Sequence, residues 1–405
     1  MIRRQRPAPA GGDGVAPPRL TRGRKLVFAL VVAVVTLGMV ELGLRLSGLP
    51  PDTVAVGHAQ VPAWMLADPG FVAELGSMAS LPAQGIDLAA VFAFWGHFTP
   101  DPALHYRLRP NLSRATVNTF SELSLKRDIR WTLTSNARGY RGALRPYAKP
   151  AGVRRVVCLG DSSTYGWGVE ADETYAVQLE TMLSRSGERW EVINLGMPGY
   201  TSVQGALLID EALSYEPDVV TVSFGSNDGT QQGLSESEVL AVNRSFATRL
   251  SRILEVSRLY RGVRHVVYRA HNPATAPGRH LVARVPAAEF ESKLAVILDR
   301  VVSRGVLTVF VRITAKAPYD EALARVLAAR ATGLVDFSDL VRHHFDAVVA
   351  GREHPELARQ VVATWGAVAV AASPELYLRV DPTHPGPIGH RLIAEALRAA
   401  ILAPP

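Results

Sequence analysis

From Arg154 onward, hydrophobic and polar positions alternate between two periods. Arg155–Leu159 (RVVCL), Trp190–Leu195, Asp218–Phe224 (DVVTVSF), Leu307–Ile313 (LTVFVRI) and Leu334–Phe337 are short apolar runs. That is the pattern of strands buried on both faces of a parallel sheet. Helical stripes lie between them. Tyr175, Leu179, Met182 and Leu183 stand at i, i+4, i+7 and i+8, with Asp172 placed to cap that helix and Gly187 to end it. Ser202–Leu213 predicts a second helix, and Pro286 opens a third that runs to Val302 and stops near Gly305. A last helix from Pro387 should bury Ile388, Leu392, Ile393, Ala396 and Leu397. The stretch between the third and fourth strands is less regular. Strands alternating with helices predict a doubly wound α/β domain with a parallel sheet. Ligands of such folds bind at the carboxyl ends of the strands.

The N-terminal part follows other rules. Leu26–Val40 is an uncharged apolar run of 15 residues, which as a helix spans only ~22 Å of the ~30 Å bilayer core. Continued to Leu49 it is long enough, and it then includes Glu41 and Arg45, which at i, i+4 can pair on one helix face near the far interface. A single signal-anchor helix is the favoured reading. A cleaved signal peptide is second, since no clear small-x-small site follows the run, and a buried core helix third. Residues 50–150 show weak periodicity, several prolines and scattered aromatic and histidine residues (Trp64, Trp95, His105, Tyr106). They read as a membrane-proximal stem with a short helix at Ala90–Trp95 and a small sheet around Ile129–Leu133.

Composition changes this picture little. The 405 residues are 48% hydrophobic and 20% charged, which excludes a disordered chain and a polytopic membrane protein. One cysteine, Cys158, excludes an intramolecular disulfide and a Cys-rich metal cage. Its place in the first strand reads as a small buried apolar residue rather than a nucleophile. The net charge of +7 suggests nucleic acid until it is located. Arg3, Arg4, Arg6, Arg19, Arg22, Arg24 and Lys25 against Asp13 put about +6 of it in residues 1–25. The remainder is nearly neutral, so no nucleic-acid partner is expected. The basic flank keeps the N-terminus cytoplasmic by the positive-inside rule, and in the anchor and signal-peptide readings whatever follows about residue 50 faces outward.

Four polar or glycine-containing loops stand out, three after the first three strands and one before the last helix. They are Gly160-Asp161-Ser162-Ser163, Asn194 to Thr201, Gly225-Ser226-Asn227-Asp228-Gly229, and Asp381-Pro382-Thr383-His384-Pro385. Their content fits acyl transfer through a serine. A hydroxyl is a weak nucleophile at neutral pH and needs an adjacent base, so Ser162 is the candidate nucleophile and His384 the base. Asp381, three residues before His384, can reach the imidazole N–H and set its tautomer. The backbone N–H groups of Ser162 and Gly199 and the side-chain amide of Asn227 can supply the donors of an oxyanion hole. No G-x-S-x-G elbow, P-loop or H-E-x-x-H occurs. His343, His344 and His354 lack carboxylates at metal-ligand spacing and read as surface residues, so neither a metal nor a cofactor is expected. Trp167 reads either as an acyl-pocket wall or as packing for its loop.

Ser162 in VVCLGDSST, Gly199 in INLGMPGYTS, Asn227 in FGSNDG and His384 in DPTHP stand in the order of the four blocks of the SGNH/GDSL hydrolase superfamily, which the chain resembles over residues 154–401. Ser163 stands where the name-giving motif has leucine. The resemblance implies a flavodoxin-like α/β/α sandwich and hydrolysis of ester or acyl bonds, with Asp381 as third member of the triad. His105-Tyr106-Arg107-Leu108-Arg109-Pro110-Asn111, Ser135-Asn136-Ala137-Arg138-Gly139-Tyr140-Arg141-Gly142 and Gly166-Trp167-Gly168-Val169 resemble bacterial membrane-anchored members. The expected organisation is a basic cytoplasmic tail (1–25), a transmembrane signal-anchor helix (26–49), an extracytoplasmic stem or small accessory region (50–150) and the hydrolase domain (151–405). The expected protein is single-pass in the bacterial inner membrane, with its catalytic domain in the periplasm. It is an esterase or deacylase acting on an acylated small molecule or glycan, best a short O-acetyl ester of an envelope glycan. An O-acyltransferase, a lysophospholipase-like esterase and a non-catalytic glycan-binding protein are the alternatives.

Overall fold

The computed structural model describes residues 21–50, 53–56, 59–62, 65, 94–118, 129–185, 187–271, 281–314, 316–330 and 332–403. Most of the basic arm, Trp64 and the first residues of the expected helix at Ala90–Trp95 lie outside them.

Five parallel strands form the central sheet: β1 (Val153–Gly160), β2 (Arg189–Asn194), β3 (Val219–Ser223), β4 (Leu307–Arg312) and β5 (Gly333–Asp336). Their order is β5-β4-β3-β1-β2. Val157 of β1 pairs with Ile193 of β2 on one side and Val220 of β3 on the other. Alternation along β1 shows why its run is continuous. Val157 and Leu159 enter the core on one face, Val156 and Cys158 the core on the other. Each such side chain contributes about 1.5–3 kcal/mol by leaving water. Helices Ser202–Ser214, Ala287–Val302 and Tyr319–Ala328 cover the first face, and Tyr175–Ser184 and most of Pro387–Leu402 cover the second. This is the expected α/β/α sandwich. The strand order reverses between β1 and β3, so the loops after these strands open side by side at the topological switch point.

Three local expectations are corrected. Asp172 does not cap the first helix. It lies inside a 3-10 turn, Ala171–Glu173, and Thr174 caps Tyr175–Ser184 by accepting the Val177 N–H. Both residues are good caps, and the extra turn moves the start by two positions. Ala396 is half-buried at the edge of its helix. The less regular stretch after β3 holds three helices, Glu236–Arg244, Phe246–Leu254 and Arg258–His271. Their apolar positions do not all face the core, so no core-facing period was visible.

Upstream, Phe98–Asp101 pairs with His105–Leu108, and Ser113–Asn118 with Ile129–Thr134, both antiparallel, the second matching the expected small sheet. Phe94, Phe98, Tyr106, Leu108, Trp131, Leu133 and Tyr140 join the same core as Leu159, Tyr165 and Trp167. The N-terminal helix runs from Arg22 to Ser47 with exposed apolar side chains, and by length and composition it can cross a membrane or serve as a signal sequence. Glu41 and Arg45 pair on it at 2.8 Å.

Candidate active site

β1 ends in Gly160, and the chain turns at once into a four-residue helix, Ser162–Tyr165. Asp161 caps it, its Oδ1 accepting the Ser163 N–H at 2.9 Å. Ser162 takes the first helical position, where the backbone N–H has no intrahelical acceptor. Asp161 is fully buried, which pushes its carboxyl up to about 6. The Ser163 hydroxyl points inward and has no hydrogen-bond partner.

Asp381 and His384 share a tight loop closed by Val380 N–H on the His384 carbonyl (3.0 Å) and Gly386 N–H on the Leu378 carbonyl (2.7 Å). Asp381 Oδ1 accepts the backbone N–H groups of Thr383 (2.8 Å) and His384 (2.7 Å), which locks the carboxylate in place. Its Oδ2 lies 2.8 Å from His384 Nδ1. On the other side of the ring, Nε2 lies 2.7 Å from Ser162 Oγ. Three side chains from two loops separated by 222 positions thus form one continuous hydrogen-bonded line. Burial alone would raise the Asp381 carboxyl, but His384 and the backbone donors outweigh it and hold it below the usual range. Burial would likewise lower the His384 imidazole. The Asp381 charge and hydrogen bond reverse that and raise it. With Nδ1–H held by a carboxylate, Nε2 presents its lone pair to the Ser162 hydroxyl.

The second and third loops lock onto the first. Asn194 Nδ2 donates to the Thr164 carbonyl (2.8 Å), and Met197 N–H to the Gly160 carbonyl (3.1 Å). A Cβ at Gly196 would lie 2.2 Å from the Tyr165 nitrogen, so only glycine lets the second loop approach the Ser162–Tyr165 helix so closely. Asn227 donates one amide hydrogen to the Tyr200 carbonyl at 2.9 Å, which leaves the other free to point elsewhere. Asp228 is fully buried and ties the second and third loops together. Its Oδ1 accepts from the Ser202 backbone and hydroxyl, its Oδ2 from Gly225 N–H. Ser162, His384 and Asp381 are therefore in direct contact. Gly199 and Asn227 sit on neighbouring loops that these bonds hold beside Ser162.

The upstream segments hold those loops, a role the residue-by-residue reading did not assign. Tyr106 Oη donates to the Pro198 carbonyl at 2.9 Å, and the Tyr200 hydroxyl donates back to the Tyr106 carbonyl. Trp95 lies edge-on to Tyr106 with centroids 5.0 Å apart, beside Gly199. Arg141, also buried, donates to the carbonyls of Thr132 (3.2 Å), Tyr165 (3.3 Å), Gly166 and Val169 (2.7 Å), stapling the loop after the Ser162–Tyr165 helix. That loop carries Trp167, whose indole is stacked on His384 and met edge-on by Phe94. The signal was present in the motifs around Tyr106 and Arg141, but it marked residues without giving their partners.

Among the described residues no group of three His, Cys, Asp or Glu side chains could hold a metal ion. His344 and His354 each have a single carboxylate partner, Glu353 at 2.6 Å and Glu395 at 3.5 Å. Cys158 is buried in β1, which pushes its thiol up to about 12. That is the inert chemistry expected of it.

The model of the GDSL-like lipase/acylhydrolase family matches residues 158–392. No curated protein matches the chain significantly. Among solved structures, the chain is similar to the psychrotrophic esterase EstA from Pseudoalteromonas sp. (15% identity, 61% of this chain and 96% of that one, TM-score 0.34). It is similar to a putative lipolytic protein of the G-D-S-L family from Desulfitobacterium hafniense DCB-2 (14% identity, 60% and 97%, TM-score 0.35). It is also similar to the lipase/acylhydrolase from Enterococcus faecalis (17% identity, 61% and 95%, TM-score 0.34).

Proposed function

The chain is a serine ester hydrolase that belongs to the GDSL-like lipase/acylhydrolase family, and from that premise we propose that it acts through an acyl-Ser162 intermediate on short acyl esters of envelope glycans. The observation that carries the site assignment is the line Asp381 Oδ2, His384, Ser162 Oγ, with both contacts below 3 Å. His384 Nε2 takes the Ser162 proton as Oγ attacks the ester carbonyl, and the resulting imidazolium is stabilised by Asp381. The carbonyl oxygen becomes an oxyanion and is met by the N–H groups of Ser162, Gly199 and Asn227. The protonated imidazole then gives its proton to the departing alcohol. Water, activated by the same His384, releases the acid and restores the serine.

The site's surroundings support a short acyl group on a sugar. Tyr106 and Trp167 are buried, which leaves the half-buried Trp95 beside Gly199 as the ring that suits stacking against a sugar. In this reading residues 1–25 are cytoplasmic and 26–49 anchor the chain in the inner membrane. Residues 50–150 lead to the hydrolase unit of 151–405, which works in the periplasm. A sugar hydroxyl in place of water in the second half-reaction makes the same site an O-acyltransferase. The test is acyl release by the detergent-solubilised full chain from acetylated sugars and from aryl esters of increasing chain length, with Ser162→Ala as blank. We expect turnover to fall steeply from two to about eight carbons. A preference for long-chain lysophospholipid over every acetylated sugar overturns the substrate assignment, and transfer to added oligosaccharide in place of acetate release selects the transferase.

A further inference from the structure

Two helices after β3 present apolar residues away from the core. Phe246–Leu254 and Arg258–His271 are joined by Glu255, Val256 and Ser257. On the first, Phe246, Leu250, Ile253 and Leu254 recur at i, i+4, i+7 and i+8 and are all exposed, Phe246 by 79% and Ile253 by 69%. The linker adds Val256, 71% exposed, and the second helix adds Val263, Val266 and Val267. A soluble surface carries exposed apolar side chains singly. Eight within 22 residues mark a contact surface. The same segment is strongly basic. Residues 244–271 hold seven arginines and one acidic residue, Glu255. The near-neutral total outside the N-terminal arm therefore conceals a local positive patch.

What covers this hairpin follows from where it is held. Glu41 of the N-terminal helix accepts the backbone N–H groups of Arg258 and Leu259 and the Ser257 hydroxyl, each at 2.9 Å. Arg45 donates to the Val256 carbonyl at 2.8 Å, and Arg258 to the Pro50 carbonyl at 2.8 Å. Glu41 is the first charged residue after the uncharged run Leu26–Val40. The linker of the hairpin is thus fixed at the level where the apolar run ends, the level of the bilayer interface if that run crosses a membrane. Amphipathic helices with arginine on one side and bulky apolar residues on the other lie in that plane.

We propose that Phe246–His271 is an interfacial membrane element that lies on the leaflet facing the catalytic unit, its apolar stripe among the acyl chains and the exposed Arg249 at the level of the headgroups. The inference rests on the anchor reading of the N-terminal helix. With that helix it gives the catalytic unit two attachments to the bilayer, so that the unit is held at a fixed height and orientation instead of swinging on a single tether.

The test uses the full chain in nanodiscs of phosphatidylcholine and phosphatidylglycerol. An environment-sensitive fluorophore is placed singly by Val34→Cys, Ile253→Cys or Val266→Cys, Cys158 being buried. Nitroxide lipids carry the quencher either near the headgroup or near the chain end. We expect Ile253 and Val266 labels to be quenched more by the shallow nitroxide and the Val34 label more by the deep one. A quenched Val34 label with unquenched hairpin labels overturns this inference and leaves the anchor standing. An unquenched Val34 label with quenched hairpin labels overturns the anchor and leaves the hairpin on the membrane. Hairpin labels that are blue-shifted yet insensitive to both nitroxides show that protein covers the hairpin, a second copy or a partner, and overturn the proposal.

Discussion

The Trp167 indole stacks on the His384 imidazole, with centroids 5.7 Å apart and ring planes 29° apart. The proposed base is therefore held from three directions: by Asp381 on Nδ1, by Ser162 on Nε2 and by an aromatic face across the ring. Arg141 fixes the backbone on either side of that indole, so the upstream segment reaches the base through one residue.

Removing the indole should loosen the imidazole without removing any group of the triad. We expect Trp167→Ala to lower kcat by about tenfold, the scale of one aromatic contact, with KM for a small aryl ester little changed. Trp167→Phe should restore most of it. Because Trp167 is also core, Trp167→Ala should cost about 3–5 kcal/mol of stability, and kinetics should be read well below its unfolding midpoint. An unchanged kcat in a folded Trp167→Ala protein would make the residue packing alone.

The adjacent serines separate cleanly. Ser162 Oγ meets His384, whereas the Ser163 hydroxyl is buried without a partner. Ser162→Ala should cut kcat by roughly 10⁶-fold, the scale of losing a serine nucleophile. Ser163→Ala should keep activity and should not lose stability, since an unsatisfied buried hydroxyl is a cost when present. Turnover assays with a chemical denaturation curve for each variant check both statements. The opposite pattern of activity would exchange the roles of the two residues.

Part of this site was legible because its first and third loops follow β1 and β3, strands buried on both faces, whereas the Asp381–His384 loop follows a 3-10 turn, Pro374–Tyr377, and precedes the last helix. A continuous apolar run that breaks abruptly into Gly160-Asp161-Ser162 or Gly225-Ser226-Asn227 announces both the strand and its functional end. What stayed hidden depends on partners far away in sequence. Tyr106 meets Pro198 across 92 positions, and Arg141 meets Val169 across 28. No period along the chain records such contacts, because a single side chain on a single carbonyl leaves no repeated pattern. The helices Phe246–Leu254 and Arg258–His271 stayed hidden for another reason. Their apolar faces turn away from the core, so the stripe that usually reveals a helix did not belong to the sheet's packing.

The acid limb of the pH profile should report His384, which as the proposed base must be neutral to accept the Ser162 proton. Asp381 raises that imidazole against the lowering effect of burial. Activity should therefore appear as pH rises through a value above the ordinary ~6.5 of histidine. Asp381→Asn removes the charge that raises it and leaves burial in force, so the limb of kcat/KM should move to lower pH while the plateau falls by up to ~10⁴-fold. A limb that stays in place in Asp381→Asn would show that another charge controls the imidazole. Asp161, also buried near His384, is the candidate for that charge.

The oxyanion donors can be tested against their own structural roles. Asn227→Ala should lower kcat by about 10²–10³-fold with little change in KM, because its donor acts on charge that exists only in the transition state. A pure KM effect would place Asn227 in substrate binding. Gly199 needs a second control, since its φ of +80° is hard for any side chain and a Cβ there would lie 2.4 Å from Tyr106 Oη. Gly199→Ala should therefore lose both stability, by roughly 1–2 kcal/mol from the backbone conformation alone, and kcat. Tyr106→Phe removes the hydroxyl that the new methyl would meet, at the cost of the bond to Pro198. In the double variant Gly199→Ala/Tyr106→Phe, stability should recover relative to the sum of the single losses, because one clash is shared. Its kcat should stay low, because the positive φ still displaces the N–H at residue 199. Recovery of kcat together with stability would show that Gly199 serves only to make room for Tyr106 and donates nothing to the oxyanion.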